Sequence, residues 1–266
     1  MKYRIPYLGE KGISNFCLHK SQIHNWTTCK RCGYYAIMNL PKSIETDLIT
    51  EVGIGFHKTC NSFFDKVDVS KITDRQSTID YFMSILNGSP EDKELLQRFA
   101  QFQYDRFEAF KGPRWYPCNR ELEVIRPSRG LWGTIDSIEY LNPNDDDKVV
   151  VEYKTGELNE WRIPKLRREL AVYKLLVDGT KMAPKPIQHI GAFCAGNANY
   201  KEGILFEKLK SQTITALFKV IKEIRTTFEK AYIAPGCYIP DYFPKEATAF
   251  CMLCSFSNEC YGDNNV

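Results

Sequence analysis

The sequence predicts an α/β sandwich, and three observations predict it. Helical periodicity fills most of residues 20–120, β-type apolar runs begin at Leu122, and one helical segment over 165–178 separates two sets of those runs. The 266 residues are 43% hydrophobic and 13% aromatic, enough to bury a sizeable core. No repeat or low-complexity linker divides the chain, so residues 1–266 read as one domain. Within it, 20–120 is a mainly helical part, 121–232 an α/β core, and 233–266 a cysteine-rich segment.

Taken in order, Ser21 to Leu40 reads as one capped, aromatic-rich helix around a pair of cysteines. Over 46–66, Ile49, Val52, Phe56 and Phe63 recur at helical spacing and are expected to face the core. Ser89-Pro90-Glu91-Asp92 is a helix start with acidic residues in its first turn, opening a helix that runs to about Phe110. Leu122, Val124 and Ile125 begin the β-rich region, which continues over Leu131–Tyr140 and Lys148–Lys154. The polar run Asn142 to Asp147 between the last two is a hairpin turn. Leu166, Leu170, Tyr173 and Leu176 mark the helix over 165–178, followed by strands at Ile187–Phe193 and Gly203–Leu209. An amphipathic helix over Ile214–Tyr232 precedes a loop-rich tail.

A net charge of +3 permits a local nucleic-acid-binding patch without demanding one. No apolar run approaches the roughly 20 residues needed to cross a bilayer, and Met1 to Ser14 has no signal-peptide core, so no membrane association and a cytoplasmic location are expected. Ten cysteines are many for such a chain, and in a reducing compartment they point to metal or redox chemistry rather than disulfides. Five of them cluster: Cys29 and Cys32 as C-x-x-C, and Cys251, Cys254 and Cys260 as C-x2-C-x5-C. Thiolate-only ligation suits structural zinc or an iron–sulfur cluster.

The chemistry concentrates on two strands. Asp136 interrupts the apolar run Leu131-Trp132-Gly133-Thr134-Ile135, and Glu152 and Lys154 end the run Val149-Val150-Val151. An unpaired carboxylate in such a strand would be costly. Two neighbouring carboxylates are stabilised by a divalent cation, and oxygen ligands with open positions suit Mg²⁺ or Mn²⁺. Side-chain alternation puts Lys154 on the strand face of Glu152, where it can orient a water or stabilise developing negative charge. This is equipment for metal-assisted phosphodiester hydrolysis.

Gly133-x-Ile135-Asp136 followed by Glu152-x-Lys154 resembles the core motif of the PD-(D/E)XK nuclease superfamily, in particular its RecB-like branch. The resemblance implies a restriction-endonuclease-like α/β sandwich with a central mixed sheet. It also implies a metal held by Asp136, Glu152, a backbone carbonyl at Tyr153 and, from the segment Gly53-Ile54-Gly55-Phe56-His57, the His57 imidazole. Lys154 would support the attacking water. The family's following helix motif, Q-x-x-x-Y, is matched by Glu169 to Tyr173 with Glu in place of Gln.

In the iron–sulfur members of that branch, one N-terminal cysteine and a C-terminal triplet hold a [4Fe–4S] cluster that joins the two ends of the fold. Here that implies Cys29, Cys251, Cys254 and Cys260, with Zn²⁺ on Cys29, Cys32, Cys251 and Cys254 as the alternative. The chain lacks a helicase P-loop and so resembles the stand-alone type. The resemblance implies a Mg²⁺- or Mn²⁺-dependent exonuclease acting on single-stranded DNA or frayed ends, in CRISPR spacer processing with adaptation-protein partners or in DNA repair. Some relatives assemble as oligomers. The alternative is a non-catalytic nucleic-acid-binding or assembly subunit. Candidate DNA contacts are Lys111, Arg114, Trp115, Arg126, Arg129 and Trp132, with Arg162, Lys165, Arg167 and Arg168 beside the motif helix.

Overall fold

The computed structural model describes residues 17–40, 44–88, 92–234, 237–246, 251 and 254–261. Helices α1 (Lys20–Thr28), α2 (Lys30–Ile37), α3 (Ile44–Lys66), α4 (Arg75–Ile85) and α5 (Lys93–Phe110) lead to strands β1 (Asn119–Arg126), β2 (Leu131–Tyr140) and β3 (Lys148–Lys154). Helix α6 (Arg162–Val177) follows, then β4 (His189–Cys194), β5 (Ile204–Lys208) and α7 (Ser211–Ala231). A small hairpin, β6 (Tyr232–Ala234) and β7 (Cys237–Tyr238), and the short α8 (Ser257–Tyr261) close the order. The central sheet is five-stranded, ordered β1-β2-β3-β4-β5. It is mixed: β2/β3 and β4/β5 are antiparallel and β3/β4 parallel. A parallel pair needs a crossover, which α6 supplies. The predicted α/β class is therefore present. No helix among the described residues is long and apolar enough to cross a membrane.

The chain forms two compact units, one from residues 49–123 and 134–209, the other from the remaining three segments. In the first unit, Phe56, Phe63, Phe82, Phe99, Trp115, Tyr153 and Phe193 share one core. Phe63 meets Phe82, Phe99 and Trp115 edge-on, at centroid distances of 4.9, 5.6 and 6.0 Å. Truncating one such ring to alanine typically costs about 3–5 kcal/mol. The pleat divides β3 between two faces. Val149, Val151 and Tyr153 enter this core, while Glu152 and Lys154 point to the face on which α6 presents Glu169. Among the core aromatics a buried charge is compensated: Glu139 accepts from the Tyr153 hydroxyl at 2.7 Å and pairs with Arg106 at 2.9 Å.

The second unit departs from the sequence expectation at its first helix. Residues 20–40 form two helices rather than one, broken at Cys29, whose backbone is extended at φ −159°, ψ 127°. The break folds α2 back against α1. Gly33 then lies so close to Trp26 that an added Cβ would stand 2.5 Å from the Trp26 Cα. Arg31 of α2 donates to the carbonyls of Phe243 at 2.5 Å and Pro240 at 2.9 Å, and Tyr34 stacks on Phe243 at 4.3 Å. The N- and C-terminal segments of this unit are thus joined by hydrogen bonds and aromatic packing. Gly130 (φ +64°) takes the left-handed backbone open to glycine and leaves room for the Arg225 guanidinium where a Cβ would sit.

Other expectations are corrected in detail. Val52 is exposed rather than core-facing, whereas Phe56 and Phe63 are fully buried; the Ile49 side chain lies outside the described residues. Of the expected helix start at Ser89 to Asp92, Ser89 to Glu91 also lie outside them. Helix α4 was not expected, although its signal is local. Asp74 caps it by accepting from Ser77 N–H at 3.1 Å.

Candidate metal centre and active site

The β2/β3 ladder runs from Tyr140↔Lys148 to Ser137↔Val151. One step further the Tyr153 N–H donates at 2.9 Å to the side chain of Asp136, at Oδ2. The carboxylate therefore sits where the strands part, held from inside the sheet and only 7% exposed. Its other oxygen accepts from the Tyr173 hydroxyl of α6 at 3.1 Å. Burial, then the charges of Glu152 and Asp136, push the Tyr173 phenol far up, so it remains a hydrogen-bond donor.

Glu152 is completely buried. It shares Lys154 with Glu169: the ammonium pairs with Glu152 Oε1 and lies 3.3 Å from Glu169 Oε2. Burial alone would lower the Lys154 pKa, but Glu152 and Glu169 outweigh it and raise it. Lys154 is therefore a fixed cation at neutral pH, suited to orienting a water or a phosphate oxygen rather than accepting a proton. The predicted shared face of Glu152 and Lys154 is present.

His57, on the fourth turn of α3, points its Nδ1 at Asp136 Oδ2 across 3.4 Å. A third group joins them that sequence reasoning missed. Glu121 Oε1 lies 3.9 Å from the same nitrogen, and one ligand atom each of His57, Glu121 and Asp136 falls within 4.8 Å of the others. One nitrogen and two carboxylate donors at this separation fit a divalent cation of the Mg²⁺ or Mn²⁺ kind. Glu121 reaches the group through an unusual backbone, φ +44° inside β1. A non-glycine residue there is strained and re-aims its side chain. Arg120-Glu121-Leu122-Glu123-Val124 reads from sequence as an alternating solvated edge, so no pattern separated Glu121 from Glu123. The group borders a cleft of about 510 Å³ lined by Gly53, Ile54, Lys58, Asn61, Lys154 and Thr155 in addition to His57 and Glu121. Burial would lower the His57 pKa, but Glu121, Asp136 and Glu152 raise it above the usual imidazole value.

Tyr153 enters the site through its backbone; its phenol faces the opposite side, towards Glu139. Among the proposed nucleic-acid contacts, Trp115 is corrected: it is fully buried in the aromatic core and meets no solvent. Arg114 is committed to Asp146 at 2.7 Å, and Arg167 pairs bidentately with Glu207 at 2.5 and 2.6 Å. A second cavity, of about 410 Å³ at the other end of β3, is lined by Lys148, Lys185, Asp147 and His189. Lys185 pairs there with Asp147 at 3.6 Å, and Lys148 donates to the Met182 carbonyl at 2.6 Å.

In the other unit, the thiols of Cys32 and Cys254 are hydrogen-bonded. The hydrogen bond lowers the Cys254 pKa and, with burial, raises that of Cys32. Cys29 and Cys260 lie close enough to Cys32 to raise it further. Cys251 donates to the Glu246 carbonyl at 3.6 Å. Cys32, unexplained by sequence, thus belongs to the same thiol neighbourhood.

No curated protein matches the chain. A family model, that of the PD-(D/E)XK nuclease superfamily, matches residues 20–261, which include all the residues of the site. The chain belongs to the PD-(D/E)XK nuclease superfamily.

Proposed function

We propose that the protein is a metal-dependent DNA exonuclease that hydrolyses phosphodiester bonds of single-stranded DNA or frayed ends. The observation that carries the reading is the convergence of His57, Glu121 and Asp136 beside the Lys154 pair with Glu152 and Glu169. Asp136, Glu152, His57 and Glu121 would hold Mg²⁺ or Mn²⁺, with the Tyr153 carbonyl as a further ligand. When bound, such an ion offsets charge on the scissile phosphate and lowers the pKa of water. Lys154 orients the attacking water and keeps its proton. Tyr173 fixes the Asp136 carboxylate, and Glu169 holds Lys154 in place. CRISPR spacer processing and DNA repair are the settings that such an activity fits.

We assign a structural role to the cysteines, as ligands of a [4Fe–4S] cluster through Cys29, Cys251, Cys254 and Cys260. The thiols of Cys29, Cys32, Cys254 and Cys260, from both ends of one unit, are neighbours, which supports a cluster there, and it is Cys32 that is hydrogen-bonded to Cys254. An anaerobically purified protein should show the broad visible absorption of such a cluster; a colourless, zinc-loaded protein contradicts it.

The activity is tested with end-labelled linear and with circular single-stranded DNA in Mn²⁺. Loss of the linear strand alone is expected. Cleavage of circles would make the enzyme an endonuclease, and survival of both in Mg²⁺ and in Mn²⁺ overturns the reading.

A further inference from the structure

Trp161 is 91% exposed, although tryptophan is the largest apolar side chain and ordinarily buries most of its surface. The other three tryptophans differ. Trp26 and Trp115 are buried, and Trp132 packs on His19 at 4.7 Å. Trp161 stands as N-cap of α6, the helix that carries Glu169 and Tyr173.

Its mounting is rigid. The loop from Thr155 to Glu160 is tied by the Leu158 N–H to Asn197 Oδ1 at 2.7 Å, and its Asn159 side chain accepts from Arg162 N–H at 2.9 Å. Gly196 packs so tightly under it that an added Cβ would stand 2.5 Å from the Glu157 nitrogen. The exposed ring is therefore held by fixed backbone rather than carried on a loose tip.

The setting selects the occupant. Trp161, Lys165 and Arg168 fall at i, i+4 and i+7, on one stripe of α6. Lys165 Nζ lies 3.9 Å from Glu169, which touches Lys154 in the catalytic cluster. Eight residue-to-residue steps lead from Trp161 to Glu169, roughly 12 Å along the axis. At roughly 3.4 Å or more per nucleotide, that is about two to four nucleotides. A cationic stripe suits phosphates, and an exposed indole face suits an unpaired base of any identity. Glu157 and Glu160 on the loop itself disfavour phosphate there and leave the ring the base-binding part.

Resting on the nuclease reading above, we propose that Trp161 is a positioning residue. It stacks on a base of a single-stranded end two to four nucleotides from the scissile phosphate, with Lys165 and Arg168 along the intervening backbone. Slippage of the strand is resisted and the scissile bond is kept at the metal site.

The test uses full-length protein in EDTA, where nothing is cut, titrated with oligothymidylates of two to eight nucleotides. Tryptophan emission should be quenched, and affinity should rise stepwise once the oligomer spans to Trp161. In Trp161→Ala the quench and the step should vanish, with affinity for the longest oligomer falling about 5- to 150-fold, the range of one lost stacking contact. Trp161→Phe should restore most of the affinity, and in Mn²⁺ the Trp161→Ala defect should appear in KM rather than kcat. Equal affinities for wild type and Trp161→Ala, or no rescue by Trp161→Phe, overturn the proposal. The two readings fail separately. A quench and step without hydrolysis in any divalent metal sinks the nuclease reading alone. Hydrolysis indifferent to Trp161 sinks only the stacking role and leaves the exposed ring to a protein partner.

Discussion

Asp136 takes over a backbone partner: its Oδ2 accepts the Tyr153 N–H at 2.9 Å, at the point where the β2/β3 ladder gives way. One side chain thereby closes the sheet and faces His57. Its position is set by main chain on one side and by the Tyr173 hydroxyl on the other. A ligand held in this way is pre-organised before any ion arrives.

Tyr173→Phe removes the hydroxyl that supports Asp136 and also hydrogen-bonds Glu152. Loss of a group that orients a metal ligand typically costs 10–100-fold in metal affinity or activity. We expect that loss here, with a change in folding stability of about 1.5–3 kcal/mol, as for hydrogen bonds to charged groups. Mn²⁺ titration beside urea denaturation checks both. A destabilisation that accounts for the whole loss of activity would make Tyr173 merely structural.

Glu121 should show a conflict between stability and function. Its φ of +44° costs an L-residue roughly 1–2 kcal/mol, and glycine gives back about 0.5–1 kcal/mol through its more flexible unfolded state. Glu121→Gly is therefore expected to be more stable by about 0.5–1 kcal/mol while binding Mn²⁺ more weakly. A variant that is less stable, or equal in Mn²⁺ affinity, speaks against strain maintained for a ligand.

The Glu139 carboxylate joins Tyr153 to Arg106 inside the core. Glu139→Ala leaves the Arg106 charge poorly compensated, for which about 3–5 kcal/mol of destabilisation is typical. Denaturant midpoints at constant m measure it. A loss below about 1 kcal/mol would show that the pair is solvated in solution.

His57 makes metal binding pH-dependent with a definite sign. Its pKa is raised by Glu121, Asp136 and Glu152 against the opposing effect of burial. In the metal-free protein, protonated His57 contributes stability below the unfolded imidazole pKa, and that contribution is lost as pH rises through the higher folded value. A metal ligand must be neutral, so Mn²⁺ affinity should fall as pH drops through the same folded value. Calorimetric titration between pH 8 and pH 6 should show the decline in wild type and a flatter profile in His57→Gln. Parallel profiles would remove His57 from the site.

Much of this architecture was legible in the sequence because it depends on period-two and motif-spaced residues. Asp136 and the Glu152–Lys154 pair stand out against apolar strands, and His57 and Tyr173 follow at motif distances on helices. Glu121 was hidden because its placement comes from a backbone twist that charge alternation does not encode. The break at Cys29 was hidden because no Gly or Pro marks it. The fold-back is accommodated by the close approach of Gly33 to Trp26, which exists only once the two helices pack. Trp115 looked like a stacking residue beside Arg114, but the surrounding phenylalanines claim it for the core.

The central claim is that the Asp136 cluster hydrolyses nucleic acid with a bound divalent ion. Its most direct test compares wild type with Asp136→Ala on labelled single-stranded DNA in Mn²⁺, after circular dichroism shows both folded. The account predicts degradation by wild type and none above background by the variant; equal degradation by the two would contradict it.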